Sequence, residues 1–579
     1  MTLAPDLRSR ALRLALENAL EHRTNPRAES ILGALLGSDP SLRQERERLV
    51  PLVREVVAEV SSMSLGAREE RLQSLGGPEP RPARPPRSTS DDSTPQDLPD
   101  LPGAEKGRVT LRFAPFPSGA LHVGHARAIF LNDTYRERYD GKFLLVFDDT
   151  VGSAEKRPSL ESYDLILEDF ELAGVKVSKI YYKSDRLPEY YRHLPPLLRS
   201  GTAYVCLCPA EDLRRRREAG EPCPERDRDA AWQSEAWEGM LAGRYGEGEA
   251  VVRLKTDLHH PNPAFRDRVL FRISHLDHPR VGHRYRVWPL LEFSWAVDDV
   301  DLGITHVLRG KDLVMEDEME EALWRAWGWT GPRFTHFGLL RIREAKLSKS
   351  KFQREIASGV FEGWADPRTW SLRSLWRRGI RPEAVKQFVL SFGLSLADIE
   401  VPAETLYAVN RHLLDPTTPR RSFVPDPVPV QVLGDPLGPR TVSLANHPEH
   451  PEMGERTLRV TDRFYLPGRD VADHLGEEVR LKDLLNLRLP RTAGPGTLQA
   501  EFTGQPNKPL PRLQWVPVED AVPVSVLGVD HQSTEGFGEG NLARAPEGSV
   551  LQFERFGFVR ADAPPTSPDA PRRFFFAHR

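Results

Sequence analysis

Apolar residues change their spacing along this chain, and the changes mark out its parts. From residue 1 to about 76 they recur at helical intervals, as in Leu12-Arg-Leu-Ala-Leu-Glu-Asn-Ala-Leu20 and Leu49-Val-Pro-Leu-Val-Arg-Glu-Val-Val57, which predicts a helical extension over 1–76. Residues 77–104 are rich in Pro, Ser and Asp, lack an apolar period and read as a disordered or extended linker. An α/β core opens at 105. Val109–Ala114 alternates as a strand, Pro115-Phe-Pro-Ser-Gly119 breaks it, Ala126–Tyr135 carries a helical pattern, and Phe143–Phe147 is a second apolar strand. The helix should end near Asp140-Gly141, with Gly141 suited to the left-handed position beyond a helix end. Strand, Gly/Pro loop, helix and strand together open a nucleotide-binding fold.

Between about 200 and 285 a charged, Trp-containing insertion that includes Arg214-Arg-Arg-Arg217 interrupts the alternation. The core resumes at Val287 and passes over 346–421 into a helical segment. Beyond Arg421 the texture turns to short alternating strands with Pro and Gly turns, as in Val428–Val432, Pro523–Leu527 and Val550–Val559. Residues 422–579 therefore read as all-β, barrel-like sequence.

Composition narrows the class. At 579 residues the chain is long enough for three or four domains. No apolar run reaches membrane-span length and the N-terminus lacks a cleavable-signal pattern, so no membrane partner is expected. Three cysteines make no disulfide framework, which favours a reducing cytoplasm. A formal net charge of −4 is not that of a simple basic nucleic-acid binder. It leaves room for a local basic surface.

Two segments carry the chemistry. In Arg112-Phe-Ala-Pro-Phe-Pro-Ser-Gly-Ala-Leu-His122-Val-Gly124-His125 the histidines lie three apart at a helix start, so both can reach one phosphate. Gly124 between them clears the backbone for a ligand; the plain alternative is that both are ordinary surface or cap histidines. In Lys346-Leu-Ser-Lys349-Ser-Lys351 the lysines cannot pack in a core. Read alone they resemble any solvated loop; the functional reading is a mobile clamp that neutralises charge on departing pyrophosphate.

Together these segments resemble the two signatures of class I aminoacyl-tRNA synthetases. Phe147-Asp-Asp-Thr150, Ala296-Val-Asp-Asp299, Gly303–Asp312, Gly363–Arg368 and Arg377–Pro382 narrow the resemblance to glutamyl-tRNA synthetases of the archaeal and eukaryotic type, over roughly 105–579. The Ala114-Pro-Phe-Pro-Ser-Gly119 form looks glutamyl rather than glutaminyl. The resemblance implies a Rossmann catalytic domain over 105–345 with a tRNA-acceptor-binding insertion at about 200–285. It implies a helical subdomain with the lysine loop over 346–421 and anticodon-binding antiparallel β-barrels over 422–579. The implied reaction is ATP- and Mg2+-dependent activation of L-glutamate and its transfer to tRNA(Glu), with tRNA(Gln) left open as a second acceptor, by a cytoplasmic monomer.

By position, the resemblance implies His122, His125, Lys346 and Lys349 as catalytic residues. Pro115, Ser118, Gly119, Gly124, Ser348 and Ser350 join them around ATP. Arg112 and Arg309 would hold the substrate's side-chain carboxylate and Asp148 its α-ammonium. Val146, Phe116 and Leu291 depart from the residues that many relatives carry at those places. For Arg309, a structural ion pair with Asp298 or Asp312 is the plain alternative. Some members of the family hold zinc at Cys206-x-Cys208 and Cys223. Here Cys223-Pro-Glu225 offers only a carboxylate in place of a fourth N/S ligand, so zinc is not expected. Glutaminyl specificity is the nearest rival. A small-molecule nucleotidyltransferase would not need the insertion and β-rich half, and an inactive RNA-binding paralogue would be expected to have lost the His or Lys residues.

Overall fold

In the computed structural model the α/β core forms around five parallel strands. The structure describes residues 5–22, 26, 28, 31–32, 35, 46–75, 98–151, 157–345, 349–434, 438–494, 496–567 and 570–579. Most of the expected linker therefore lies outside the described residues. The chain divides into two compact units, Met1–Ser93 and Thr94–Arg579.

In the first unit, helix Pro5–His22 packs against Arg46–Ser61 and Leu65–Ser74. Ala11, Leu12, Ala15, Leu16 and Ala19 fall on one helical stripe and meet Val53, Val56, Val60 and Leu72 in its core. Ser64 caps the third helix by accepting from the Ala67 N–H.

In the second unit, Thr110–Phe113 pairs in parallel with Lys142–Phe147, which pairs with Lys179–Tyr182. On its other side the Thr305 N–H donates to the Thr110 carbonyl at 2.9 Å, bringing His306–Gly310 and its parallel partner Arg333–Phe337 alongside. The chain thus runs outward from its first strand in one direction and then in the other. The crevice between Thr110–Phe113 and His306–Gly310, at their C-terminal ends, is the switch point at which such sheets bind ligands. Helix Val123–Arg138 follows the first strand. After it, Asp140 rather than Gly141 takes the left-handed conformation, with φ 48°. Gly141 is required for another reason, because a Cβ there would sit 2.5 Å from the Val109 carbonyl oxygen. The insertion builds a separate antiparallel sheet of Ala203–Cys206, Val251–Leu254, Val269–Ile273 and Val287–Pro289.

The C-terminal region forms two seven-stranded sheets. In each, both edge strands come from one bent segment, Arg420–Pro425 in one and Arg512–Pro517 in the other, so the sheet curls back towards itself. Antiparallel pairs predominate, and each sheet also has two parallel pairs in the same relative places. Val550–Val559, read as one apolar run, is a hairpin of Val550–Phe553 and Gly557–Ala561. One sheet is made entirely within 427–517, and the other from 420–425 and 521–578 around it.

Glu539 secures that junction. Its buried carboxylate accepts from Arg456 Nε and Nη2 at 2.7 and 2.8 Å and from the Ser422 N–H at 2.7 Å. Removing one partner of such a pair leaves the other buried without compensation. Glu539→Ala should therefore lower the stability of the β-rich region by roughly 3–5 kcal/mol, measured by urea unfolding followed by circular dichroism.

Candidate active site

A cavity of about 820 Å3 opens at the switch point, with the first strand, the start of helix Val123–Arg138 and the end of strand His306–Gly310 on its walls. Arg112, Pro115, His122, Gly124, His125 and Arg309 all line it. Ser118, Gly119, Asp148 and Lys349 lie off its walls. Lys346 and Ser348 are outside the described residues, as is the side chain of Ser350.

The two histidines do more than share a face. His122 is the residue just before the helix, not part of its first turn, and its Nδ1 accepts from the Gly124 N–H at 3.1 Å. Nδ1 of His125 accepts from the His122 N–H at 3.2 Å, and the rings lie 3.8 Å apart. Each histidine therefore carries its proton on Nε2, where it remains a donor. Burial, with the Lys349 charge adding to it, pushes His122 down to about 3. His125 is lowered well below its usual value by burial and by the charges of His122 and Lys349. Both are neutral donors at physiological pH.

Asp169, fully buried, accepts the Leu121 N–H at 2.7 Å and so fixes the loop just before His122. Burial raises its carboxyl to about 7. Lys349 begins the helix Lys349–Ala357. Burial lowers its ammonium to about 8, against an opposing pull from Asp169. Gly119, at φ 134°, lies under Trp364, where a Cβ would meet the indole at 2.0 Å. Its smallness serves that contact.

The expected amino-acid residues are buried and paired. Arg112 donates Nε and Nη2 to the two oxygens of Asp299 at 2.5 and 2.8 Å. Arg309 pairs with Asp317 and, at 2.8 Å from Nη1, with Glu320. The alternative partners do not apply: Asp298 bonds Arg186 and Tyr190, and Arg309 makes no ion pair with Asp312 among the described residues. Asp148 meets Lys183 Nζ at 2.8 Å. Trp295 lies beneath these cations, with Arg112, Lys183 and Arg309 4.9, 5.3 and 5.2 Å from its ring centre. The sequence reading missed Trp295, Lys183, Asp317 and Glu320. The one available signal was the i, i+3 carboxylate pair just beyond Arg309.

In the insertion, Cys206, Cys208 and Cys223 gather with their sulfurs within 4.8 Å of one another. Arg253 Nη1 is 2.8 Å from Cys223 Sγ, and Glu225 is 3.9 Å from Cys208 Sγ. The hydrogen bond from Cys206 and the Arg253 charge hold the Cys223 thiol down at about 6.

A parallel sheet with a histidine-capped helix at its switch point defines a nucleotide-binding α/β enzyme core. Family comparison narrows this. The catalytic-domain model of class I tRNA synthetases (E and Q) matches residues 108–416, and two models of that family's anticodon-binding domain match 418–498 and 512–562. The chain is 41% identical over 569 residues to a glutamate–tRNA ligase of Pyrococcus furiosus, covering 95% of this chain and 96% of that protein. It is 40% identical over 572 residues to that of Methanopyrus kandleri (96% and 97% covered) and 37% identical over 569 residues to that of Methanosarcina mazei (97% and 98%). The chain belongs to the class I glutamyl/glutaminyl tRNA synthetase family.

The lowered histidines make stability depend on pH. The unfolded chain binds a proton at each near its ordinary value, whereas the folded chain does so only far below it. Their contribution is thus fully present above about pH 6.5 and is lost progressively as pH falls towards about 3. NMR of the imidazole carbons should show both rings neutral through about pH 5.

Proposed function

We propose that the chain is a glutamate–tRNA ligase, which forms glutamyl-adenylate from L-glutamate and ATP and transfers the glutamyl group to tRNA(Glu). The observation that carries this reading is the pair of Nε2–H donors of His122 and His125 on a helix N-terminus, in the same cavity as Arg112 and Arg309.

The substrate α-carboxylate attacks the ATP α-phosphorus in line, the bond to pyrophosphate breaks, and the adenylate forms. No protein nucleophile takes part, so the chain contributes positioning and charge stabilisation. The neutral histidines hydrogen-bond phosphate oxygens, and Lys349, with Lys346, Ser348 and Ser350 of the same loop, offsets the charge gathering on the leaving pyrophosphate. The phosphates raise the Lys349 ammonium from its depressed value, so that ligand binding itself secures the cation. Pro115 and Gly124 border the nucleotide from the cavity wall, and Ser118 and Gly119 belong to the loop between them. The terminal 2′-hydroxyl of the tRNA then attacks the adenylate carbonyl and releases AMP.

Among the described residues, neither group of three metal-ligating side chains lines the cavity. In this reading Mg2+ comes with the ATP phosphates as part of the substrate. Residues 105–345 form the catalytic domain, the insertion holds the acceptor end, 346–421 carry the lysine loop, and 422–579 hold the anticodon. A cytoplasmic monomer is sufficient for this work. The cysteine cluster works without zinc, its Cys223 thiolate paired with Arg253.

Labelled Glu and Gln offered against purified tRNA(Glu) and tRNA(Gln) test the assignment. Glutamate transfer to tRNA(Glu) is expected, and glutamine transfer alone would overturn it. With tRNA present, Lys349→Ala should slow ATP–pyrophosphate exchange by roughly 10²–10³-fold. Metal analysis of protein purified without chelator should find zinc far below one ion per chain.

A further inference from the structure

Each charged group assigned to the amino acid already has an opposite charge of this chain on it. Asp148 has Lys183, Arg112 has Asp299, and Arg309 has both Asp317 and Glu320. The arginines differ in what they keep back. Arg112 uses Nε and Nη2, and its Nη1 makes no hydrogen bond among the described residues. Arg309 gives Nε and Nη2 to Asp317 and Nη1 to Glu320, so none of its nitrogens is idle. A substrate carboxylate arriving at Arg309 meets a guanidinium already occupied by carboxylates.

The two occupants are unequal. Asp317 bridges two nitrogens of Arg309 and also lies 3.1 Å from His336 Nε2. Glu320 holds a single nitrogen through Oε1, while its Oε2 is buried without a hydrogen-bond partner. Its side chain is fully buried. An unpartnered buried oxygen costs its desolvation and returns nothing. Glu320 is therefore the contact that yields.

We propose that Asp317 and Glu320 are specificity-determining residues that occupy Arg309 in place of the substrate's side-chain carboxylate, and that glutamate binds by displacing Glu320 from Nη1. The proposal rests on the reading that Arg309 receives that carboxylate. A full negative charge can compete for the guanidinium with a resident carboxylate, whereas the amide of glutamine cannot. The resident groups, Asp317 throughout and Glu320 where it is ionised, thus reject the neutral analogue by occupying the site against it.

Displacement has a proton balance. Glu320 faces Arg309 on its strand, Arg112 on the first strand, Asp299 on helix Leu291–Asp301 and Asp317 on its own helix, with His336 behind Asp317. Burial, against the pull of Arg309, already raises its carboxyl to about 8. Cut off from Arg309, it takes a proton from solvent and becomes a neutral acid. Below about pH 8 it is already protonated and competes weakly; above, the ionised form holds Arg309 and glutamate must drive the protonation.

The KM for glutamate, measured in aminoacylation at saturating ATP and tRNA(Glu), should therefore rise about tenfold between about pH 7 and about pH 9 in the natural enzyme. Lys349 and the substrate ammonium titrate in the same range, so the comparison is with Glu320→Gln. Its KM for glutamate should be lower at high pH and flatter with pH, and its preference for glutamate over glutamine should narrow. A KM in Glu320→Gln that rises, or that keeps the natural slope, overturns the proposal. Thermal melting and the KM for ATP report whether the variant is folded. If it is not, Asp317→Asn carries the same test, with a lower KM expected. Arg309→Lys separates the two readings. If it loses glutamate while both carboxylate variants behave as the natural enzyme, the displacement fails and the role of Arg309 stands. If it binds glutamate unchanged, both fail.

Discussion

The buried pair of Arg112 and Asp299 is the interaction on which the cavity depends. It joins residues 187 apart in sequence, the first core strand and the helix that ends before strand His306–Gly310, by two hydrogen bonds in a plane. Burial disfavours the charge of both groups, and each offsets that cost for the other. Asp299 keeps Arg112 raised, and Arg112 in turn fixes one edge of the platform formed by Trp295. Arg309, from strand His306–Gly310, and Lys183, from the turn just after strand Lys179–Tyr182, meet the same indole. Three cations gathered on one ring would repel each other without their carboxylates, so the acidic residues are a structural condition for the site as well as a filter on what enters it.

The nucleotide side follows the opposite rule. There the chain limits charge in advance: two histidines are held neutral, and one lysine is lowered to about 8. A polyanion entering such a site would strengthen the lysine's hold on its proton and meet oriented N–H donors, with little reorganisation. Asp169 serves this arrangement from below, since its hydrogen bond to Leu121 fixes the residue that precedes the capping histidine.

Strands and helices were legible where one periodicity persisted, as in the first strand, the helix after it and the C-terminal strands. The histidine pair was legible both as chemistry and, in the plain alternative, as capping, and the structure joins the two, since each ring nitrogen Nδ1 accepts from a backbone N–H and leaves Nε2 free to donate. The pairing of Arg309 was misplaced. Asp298 and Asp312 are near in motif, yet Asp298 is drawn to Arg186 and Tyr190 across the core, while Asp317 and Glu320 return to Arg309 one helical turn after another. Gly141 shows the same limit. Its role depends on the Val109 carbonyl 32 residues earlier, not on its own φ.

The β-rich region carries a repeat that sequence spacing hides. Both sheets order their pairings as parallel, antiparallel, antiparallel, parallel, antiparallel, antiparallel, but the bent edge segment comes first in the chain for one and last for the other. The two are circular permutations of one design, so no fixed offset aligns their strands. The permutation has a mechanical consequence. Because the outer sheet is begun before the inner one and finished after it, the final strand Arg572–His578 must return to the start. There the buried Arg378 donates to the Phe576 and Ala577 carbonyls, and Asn410 bonds His578. The chain's last strand is thereby fastened to the helical segment behind the lysine loop. Helices Leu372–Arg378 and Glu404–Leu414, which follow that loop, are thus hydrogen-bonded to the β-rich half through this strand.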